Sequence, residues 1–249
     1  MGGQANTNDT KGSSNFAGTI QSRVTANTDA GFSIVEYKGT GSAGTFAHGL
    51  AEAPEWAIIK RHDGTAGWSV YHKSMGNQNK MELSSTNGIS NYGTGTDFWN
   101  GTSPTNQVFS IGVVGTHNTL NEKYIAYLWA PVEGFSKFGS YTGNGAPSSE
   151  GPFVYTGFKV RWLMIKSKNS SDWRIYDTAR TSQNENKNAL RPNLPNSQTS
   201  DSNGLDLLSN GFKIRWGNTE LSSSGVDYLY MAFAENPFGG ETAAPVIAR

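Results

Sequence analysis

Short runs of alternating apolar and polar residues, separated by clusters of Gly, Asn, Ser and Thr, occupy most of the chain. A period of two predicts half-buried β-strands, with turns where the small polar residues gather. In the first half, strands are expected near Ser33–Tyr37, Trp56–Lys60, Trp68–His72, Val108–Val114 and Tyr124–Trp129. The stretch YIAYLWA sets Tyr124, Ala126 and Leu128 against Ile125, Tyr127 and Trp129. Both faces of that strand are therefore fit for burial, as in an inner strand of a sandwich. HDGTAG at His62–Gly67 and KNSSD at Lys168–Asp172 fall between strand candidates, where Asp-Gly and Asn-Ser favour tight hairpins. No segment shows the apolar spacing of a convincing amphipathic helix, and Met81–Ser85 and Leu205–Leu208 read as short strands or turns.

The pattern is written twice. EWAIIKRHDGTAGWSVYH, from Glu55, and RWLMIKSKNSSDWRIYD, from Arg161, share a charged residue, Trp, three apolar residues, Lys, a polar turn and Trp-x-x-Tyr. Trp162 follows Trp56 by 106 residues and Trp173 follows Trp68 by 105. Phe212 follows Phe109 by 103, and Tyr228 follows Tyr124 by 104. FSIVEYKGTGSAG at Phe32 also resembles FSKFGSYTGNGAPS at Phe135. Ordered matches at one spacing point to an internal duplication of about 105 residues per unit. The expected fold is all-β, an antiparallel β-sandwich of jelly-roll or lectin-like type, with the two repeats tandem or interleaved. The expected organisation is a flexible or extended leader over 1–23, one sandwich repeat over 24–134 and a second over 135–249.

Composition narrows the function. Twenty Lys and Arg balance twenty Asp and Glu, and charged residues make up 16% of the chain, so no electrostatic footprint points to nucleic acid or to an acidic membrane surface. Seven Trp, ten Tyr and twelve Phe supply enough apolar area to exclude a disordered chain. With no cysteine, disulfide frameworks, thiolate zinc sites and thiol catalysis are all excluded. No run reaches the roughly 18 apolar residues of a membrane helix, and MGGQANTNDTKGSSNFAG lacks the apolar core of a signal peptide.

Several segments together, AGFSIVEYKGTGS, YIAYLWAPVEGFSKFGSYTGNG, GPFVYTGFKVRWLMIK, LLSNGFKIR and YMAFAENPFGG, resemble a module of phage tail-fibre and other virion proteins of marine bacteriophages. In that family the module often follows a lectin-like domain of the SPRY or concanavalin type. The resemblance spans Thr19 to Arg249. It implies a β-sandwich virion component that acts at the host surface, and it brings no catalytic residues with it. By the way tail fibres are built, it also implies a homo-oligomer, with a trimer as the model.

Candidate chemistry lies where the two halves differ. The glycine-rich loop NYGTGTDFWNGTSP, Asn91–Pro104, carries Tyr92, Phe98 and Trp99, whereas its counterpart, RPNLPNSQTSDSNG at Arg191–Gly204, has no aromatic residue. Loops on a rigid scaffold carry function more often than strands do, and aromatics among Asn, Asp and Thr suit carbohydrate. Tyr92, Phe98 and Trp99 are thus the candidate ligand-binding residues; the competing reading makes Trp99 a plug for one end of the sandwich. The paired Trp56 and Trp162, with Tyr71 and Tyr176 beside Trp68 and Trp173, read as core, because a duplicated fold must duplicate its core. His48, His62, His72 and His117 show no metal-ligand spacing, although His62 and His72 flank one hairpin. DSNGLD at Asp201–Asp206 is oxygen-rich but lacks a full calcium-loop pattern, so a plain turn is expected. Glu52, Glu55, Asp63, Glu82, Asp97, Glu133, Asp172 and Glu185 could include a hydrolytic pair, yet no nucleophile elbow, zinc helix or phosphate loop is present. The expectation is a non-enzymatic virion surface protein without metal or cofactor. Its partners would be a host cell-surface polysaccharide and other virion proteins. A structural subunit and a polysaccharide depolymerase are the alternatives.

Overall fold

A period-two run becomes a strand because successive side chains point to opposite faces, so one face collects the apolar residues. The computed structural model describes residues 3–4, 17–91, 97–147, 150–215 and 217–236. Among them helix is confined to a 3-10 turn, Lys73–Met75, and a four-residue turn, α1 (Gly115–Asn118). The remaining regular structure is antiparallel strand. None of the helices described is long and apolar enough to cross a membrane.

The chain folds as two units, Met1–Leu83 with Ile89–Pro131, and Ser84–Gly88 with Val132–Arg249. The first holds β1 (Gly3–Gln4), β2 (Ser22–Asn27), β3 (Phe32–Lys38), β4 (Gly44–Ala47), β5 (Trp56–Arg61), β6 (Trp68–His72), β7 (Asn79–Glu82), β8 (Ser90–Asn91), β9 (Val108–Ile111) and β10 (Lys123–Trp129). Eight of them form a sheet in the order β1-β2-β3-β10-β5-β6-β7-β8, and β4 pairs β9 apart from it. Val24, Val35, Tyr37, Ala57, Ile59, Tyr71, Tyr124, Ala126 and Leu128 of the large sheet meet Phe46, Phe109 and Ile111 of the small one in a single core.

The second unit holds β11 (Ser136–Thr142), β12 (Phe153–Tyr155), β13 (Val160–Ser167), β14 (Arg174–Asp177), β15 (Asn186–Ala189), β16 (Thr199–Leu208), β17 (Gly211–Ile214) and β18 (Asp227–Ala234). Here two four-stranded sheets, β11-β18-β13-β14 and β12-β17-β16-β15, close on a core. Tyr141, Leu163, Ile165, Tyr176, Tyr228 and Tyr230 come from one sheet, and Val154, Leu205, Leu207, Phe212 and Ile214 from the other. Every strand pair of the described residues stays within its own unit.

Matching devices recur in the two units. The order β3-β10-β5-β6 in the first corresponds to β11-β18-β13-β14 in the second. Tyr37 stacks on Tyr124 at 5.3 Å, and its hydroxyl donates to the His117 carbonyl at 2.5 Å. Tyr141 stacks on Tyr228 at 5.2 Å and donates to the Leu221 carbonyl at 2.7 Å. After each of these tyrosine strands the chain passes so close to a neighbouring backbone that a side chain has no room. A Cβ on Gly39 would lie 2.1 Å from the Thr119 carbonyl oxygen, and one on Gly143 would lie 2.3 Å from that of Ser223. This close approach explains the first glycine of the Gly-x-Gly that follows the aromatic strand in both halves, and positive φ, 69° at Gly41 and 67° at Gly145, explains the second.

Several local expectations are corrected. The strand from Val108 stops at Ile111, because the Gly112 N–H bonds the Phe98 carbonyl and the chain then turns into α1. DSNGLD is not a turn: it lies inside the ten-residue β16, where the register with β15 jumps from Leu205–Asn186 to Ser200–Asn188. A bulge of this kind accommodates polar residues within a strand. At the start of the first unit, Ile20 and Ser22 are buried and β2 opens at Ser22.

Candidate functional site

The loop expected to present aromatics to a ligand buries Phe98 and Trp99 instead. Asn100 and Gly101 take positive φ, 53° and 57°, and turn the chain so that the two preceding residues point inward. Trp99 is fully buried and donates its indole N–H to the Asn79 carbonyl at 2.7 Å. It stacks on His117 at 4.9 Å and meets Tyr71 and Phe109 edge-on at 5.6 and 5.5 Å. Phe98 is buried beside it, with the Lys80 ammonium 5.3 Å from its ring centre. Neither residue offers a ring face to solvent, and the plug reading describes Trp99. Tyr92 lies outside the described residues.

The other candidates resolve into packing and ion pairing. Trp56, Trp173, Tyr71 and Tyr176 are buried, while Trp68 and Trp162 are half-buried. His72 sits opposite Trp56, at the far end of the β5–β6 pair from His62, so these two histidines share no site. His62 instead lies 3.5 Å from Glu36. His48 and His117 are fully buried, and burial lowers the pKa of both, that of His117 to about 4. The His117 Nε2 lies 2.9 Å from the Phe98 carbonyl, which places the proton there and leaves Nδ1 to accept from the Thr116 hydroxyl. The described residues hold no cluster of His, Asp and Glu suited to a metal ion. Glu55, Asp63, Glu82, Asp172 and Glu185 face Lys73, Arg61, Lys80, Arg191 and Lys187.

A different pair of aromatics is exposed. In β12, Val154 enters the core, so alternation turns Phe153 and Tyr155 outward; they are 47% and 53% exposed. These are the two exposed aromatic side chains of the described residues. Two residues along one strand, they stand about 7 Å apart on one face. Directly across, Phe153 pairs with Lys213 and Tyr155 with Gly211, where the β12 backbone comes too close for a side chain: a Cβ would lie 2.1 Å from the Val154 carbonyl oxygen. The Lys137 ammonium lies 5.3 Å from the Tyr155 ring centre and donates to the Tyr155 carbonyl at 3.0 Å. The Lys213 ammonium donates to the Gly151 carbonyl at 3.1 Å. Each ammonium has three donors, so each keeps two for another acceptor. Beyond Lys213 stand Asp206, its neighbour in β16, and Arg215, which pairs with Asp206 at 3.4 Å.

In the first unit the equivalent pairing is Thr45 with Ser110 and Ala47 with Val108, around the matched core pair Phe46 and Phe109. The aromatic and cationic face therefore belongs to the second unit alone. Its signal was available in PFVYTG: alternation around Val154 predicts outward aromatics, but the run reads as uniformly apolar unless the core residue is identified first.

Such a face can stack flat, partly apolar rings and hold acceptors at its margin. Neither a curated protein nor a solved structure matched the chain. A family model does match, over residues 6–237, and the chain belongs to that family, described as a domain of unknown function (DUF7483).

Proposed function

We propose that this protein is a non-enzymatic bacteriophage virion surface component, a tail-fibre or receptor-binding part, that recognises host-surface glycan through a duplicated β-sandwich module. The observation that carries the proposal is the exposed pair Phe153 and Tyr155 on β12, held by a sandwich core and lacking a counterpart in the first unit. Sugars present an apolar C–H face ringed by hydroxyls, which suits a rigid aromatic platform bordered by hydrogen-bond donors. The resemblance of the chain to tail-fibre modules supplies the biological setting. A binding role rather than hydrolysis is supported by Glu55, Asp63, Glu82 and Asp172, each of which pairs with a Lys or Arg. A glycan array tests the proposal. Phe153→Ala and Tyr155→Ala should each weaken binding about tenfold or more while leaving the unfolding midpoint in place. Release of reducing ends from a bound polysaccharide would replace this reading with a depolymerase.

A structural subunit is the second reading, favoured by the position of β12 at the end of its sheet order. Edge strands with exposed aromatics suit pairing with another chain. In that case the two substitutions would leave glycan binding unchanged and lower the assembled mass measured by light scattering.

A further inference from the structure

We infer that the glycan taken by the β12 face is anionic, with carboxylate or sulfate groups read by Lys137 and Lys213; this rests on the glycan-binding reading above. A neutral sugar needs donors and acceptors in comparable number around its ring, because each hydroxyl both donates and accepts. The margins of this platform are one-sided. Lys137 lies over Tyr155, Lys213 lies beside Phe153, and Arg215 follows one residue beyond Ile214. Asp206 is the carboxylate across from Lys213, and it is engaged by Arg215. Each ammonium is anchored by one backbone carbonyl, at 3.0 and 3.1 Å, and keeps two donors for the acceptors of a ligand. An acidic group on a ring stacked over Tyr155 or Phe153 would meet preplaced cations without reordering either side chain.

Sparse charge is favoured over dense charge. The whole chain is neutral, with twenty residues of each sign, and a single-stranded nucleic acid would bring one phosphate per base to a face with few cations. An acidic polysaccharide places its charges on the rings themselves, at the margin where the lysines stand.

The test uses the full chain and three probes: alginate oligosaccharides, the same oligosaccharides after carboxyl reduction, and oligothymidylate. Calorimetric titration of wild-type protein should favour the acidic over the reduced oligosaccharide by about tenfold, and added salt should erode the difference. Lys137→Gln and Lys213→Gln should abolish that preference, so that each variant binds the acidic and the reduced oligosaccharide equally. Tyr155→Ala should weaken both, and an unchanged thermal midpoint in all variants shows that the fold is intact. Equal wild-type affinity for acidic and reduced forms overturns the anionic inference and leaves the glycan reading standing. Binding of oligothymidylate alone, or of none of the three, overturns both.

Discussion

At the residue scale, the contrast between Trp99 and Tyr155 shows how far sequence can reach. Both lie among glycines and threonines, and both are absent from the corresponding position of the other half. What separates them is the side to which the backbone turns them. Positive φ at Asn100 and Gly101 folds Trp99 inward, whereas strand alternation around Val154 leaves Tyr155 outside. Trp99→Ala should therefore cost about 3–5 kcal/mol of stability in urea unfolding, the price of an emptied aromatic site. Tyr155→Ala should stay within about 0.5 kcal/mol, as at exposed positions generally. His117 adds a pH dependence. Burial holds its folded pKa at about 4, below the ordinary value of about 6.5, so the unfolded chain takes the proton first. Its contribution is complete above pH 6.5 and is lost as pH falls through 4, on the order of 3 kcal/mol at most. Urea midpoints measured between pH 7 and pH 4 should fall accordingly, and a His117→Gln variant should show a flatter profile.

At the element scale, strands with alternating or unbroken apolar runs were legible, and those carrying irregularity were not. The strands β3, β5, β6 and β10 lie where the pattern predicts them. β16 was hidden because its middle, DSNG, has turn composition and the bulge opposite β15 is a tertiary feature with no local signature. The place of Ser84–Gly88 in the second unit was equally invisible, since it rests on a buried lysine and on a backbone hydrogen bond from the Ser171 N–H to the Thr86 carbonyl at 2.9 Å. Lys166 is fully buried, and its ammonium donates to the carbonyls of Thr86, Asn169 and Ser171 at 3.1, 3.2 and 2.9 Å. Lys166→Met should remove that donor from all three carbonyls, of which Thr86 keeps the Ser171 N–H. The expected loss is about 2–3 kcal/mol, with faster amide hydrogen exchange in residues 84–88 as the local sign. In the turns after the tyrosine strands, Gly39→Ala and Gly143→Ala should each destabilise the unit that holds them, because the obstructing atoms belong to backbone. Thermal unfolding of either variant beside wild type checks this.

At the scale of the whole molecule, the account joins two sandwich units with matching interiors to one surface that they do not share. Matched tyrosine stacks, carbonyl partners and crowded glycines maintain the fold in both units. The exposed positions differ between the units: Phe153, Tyr155 and Lys213 of the second stand where the first has Thr45, Ala47 and Ser110. The central claim is that Phe153 and Tyr155 are the rings a glycan touches. The direct measurement is a titration of protein carrying carbon-13 in its aromatic rings with the best ligand from the array, followed by NMR. The account predicts shifts concentrated on the Phe153 and Tyr155 ring signals, with the buried Phe98 and Trp99 signals unmoved. Shifts confined to other aromatic rings, with Phe153 and Tyr155 silent while the ligand binds, would contradict it.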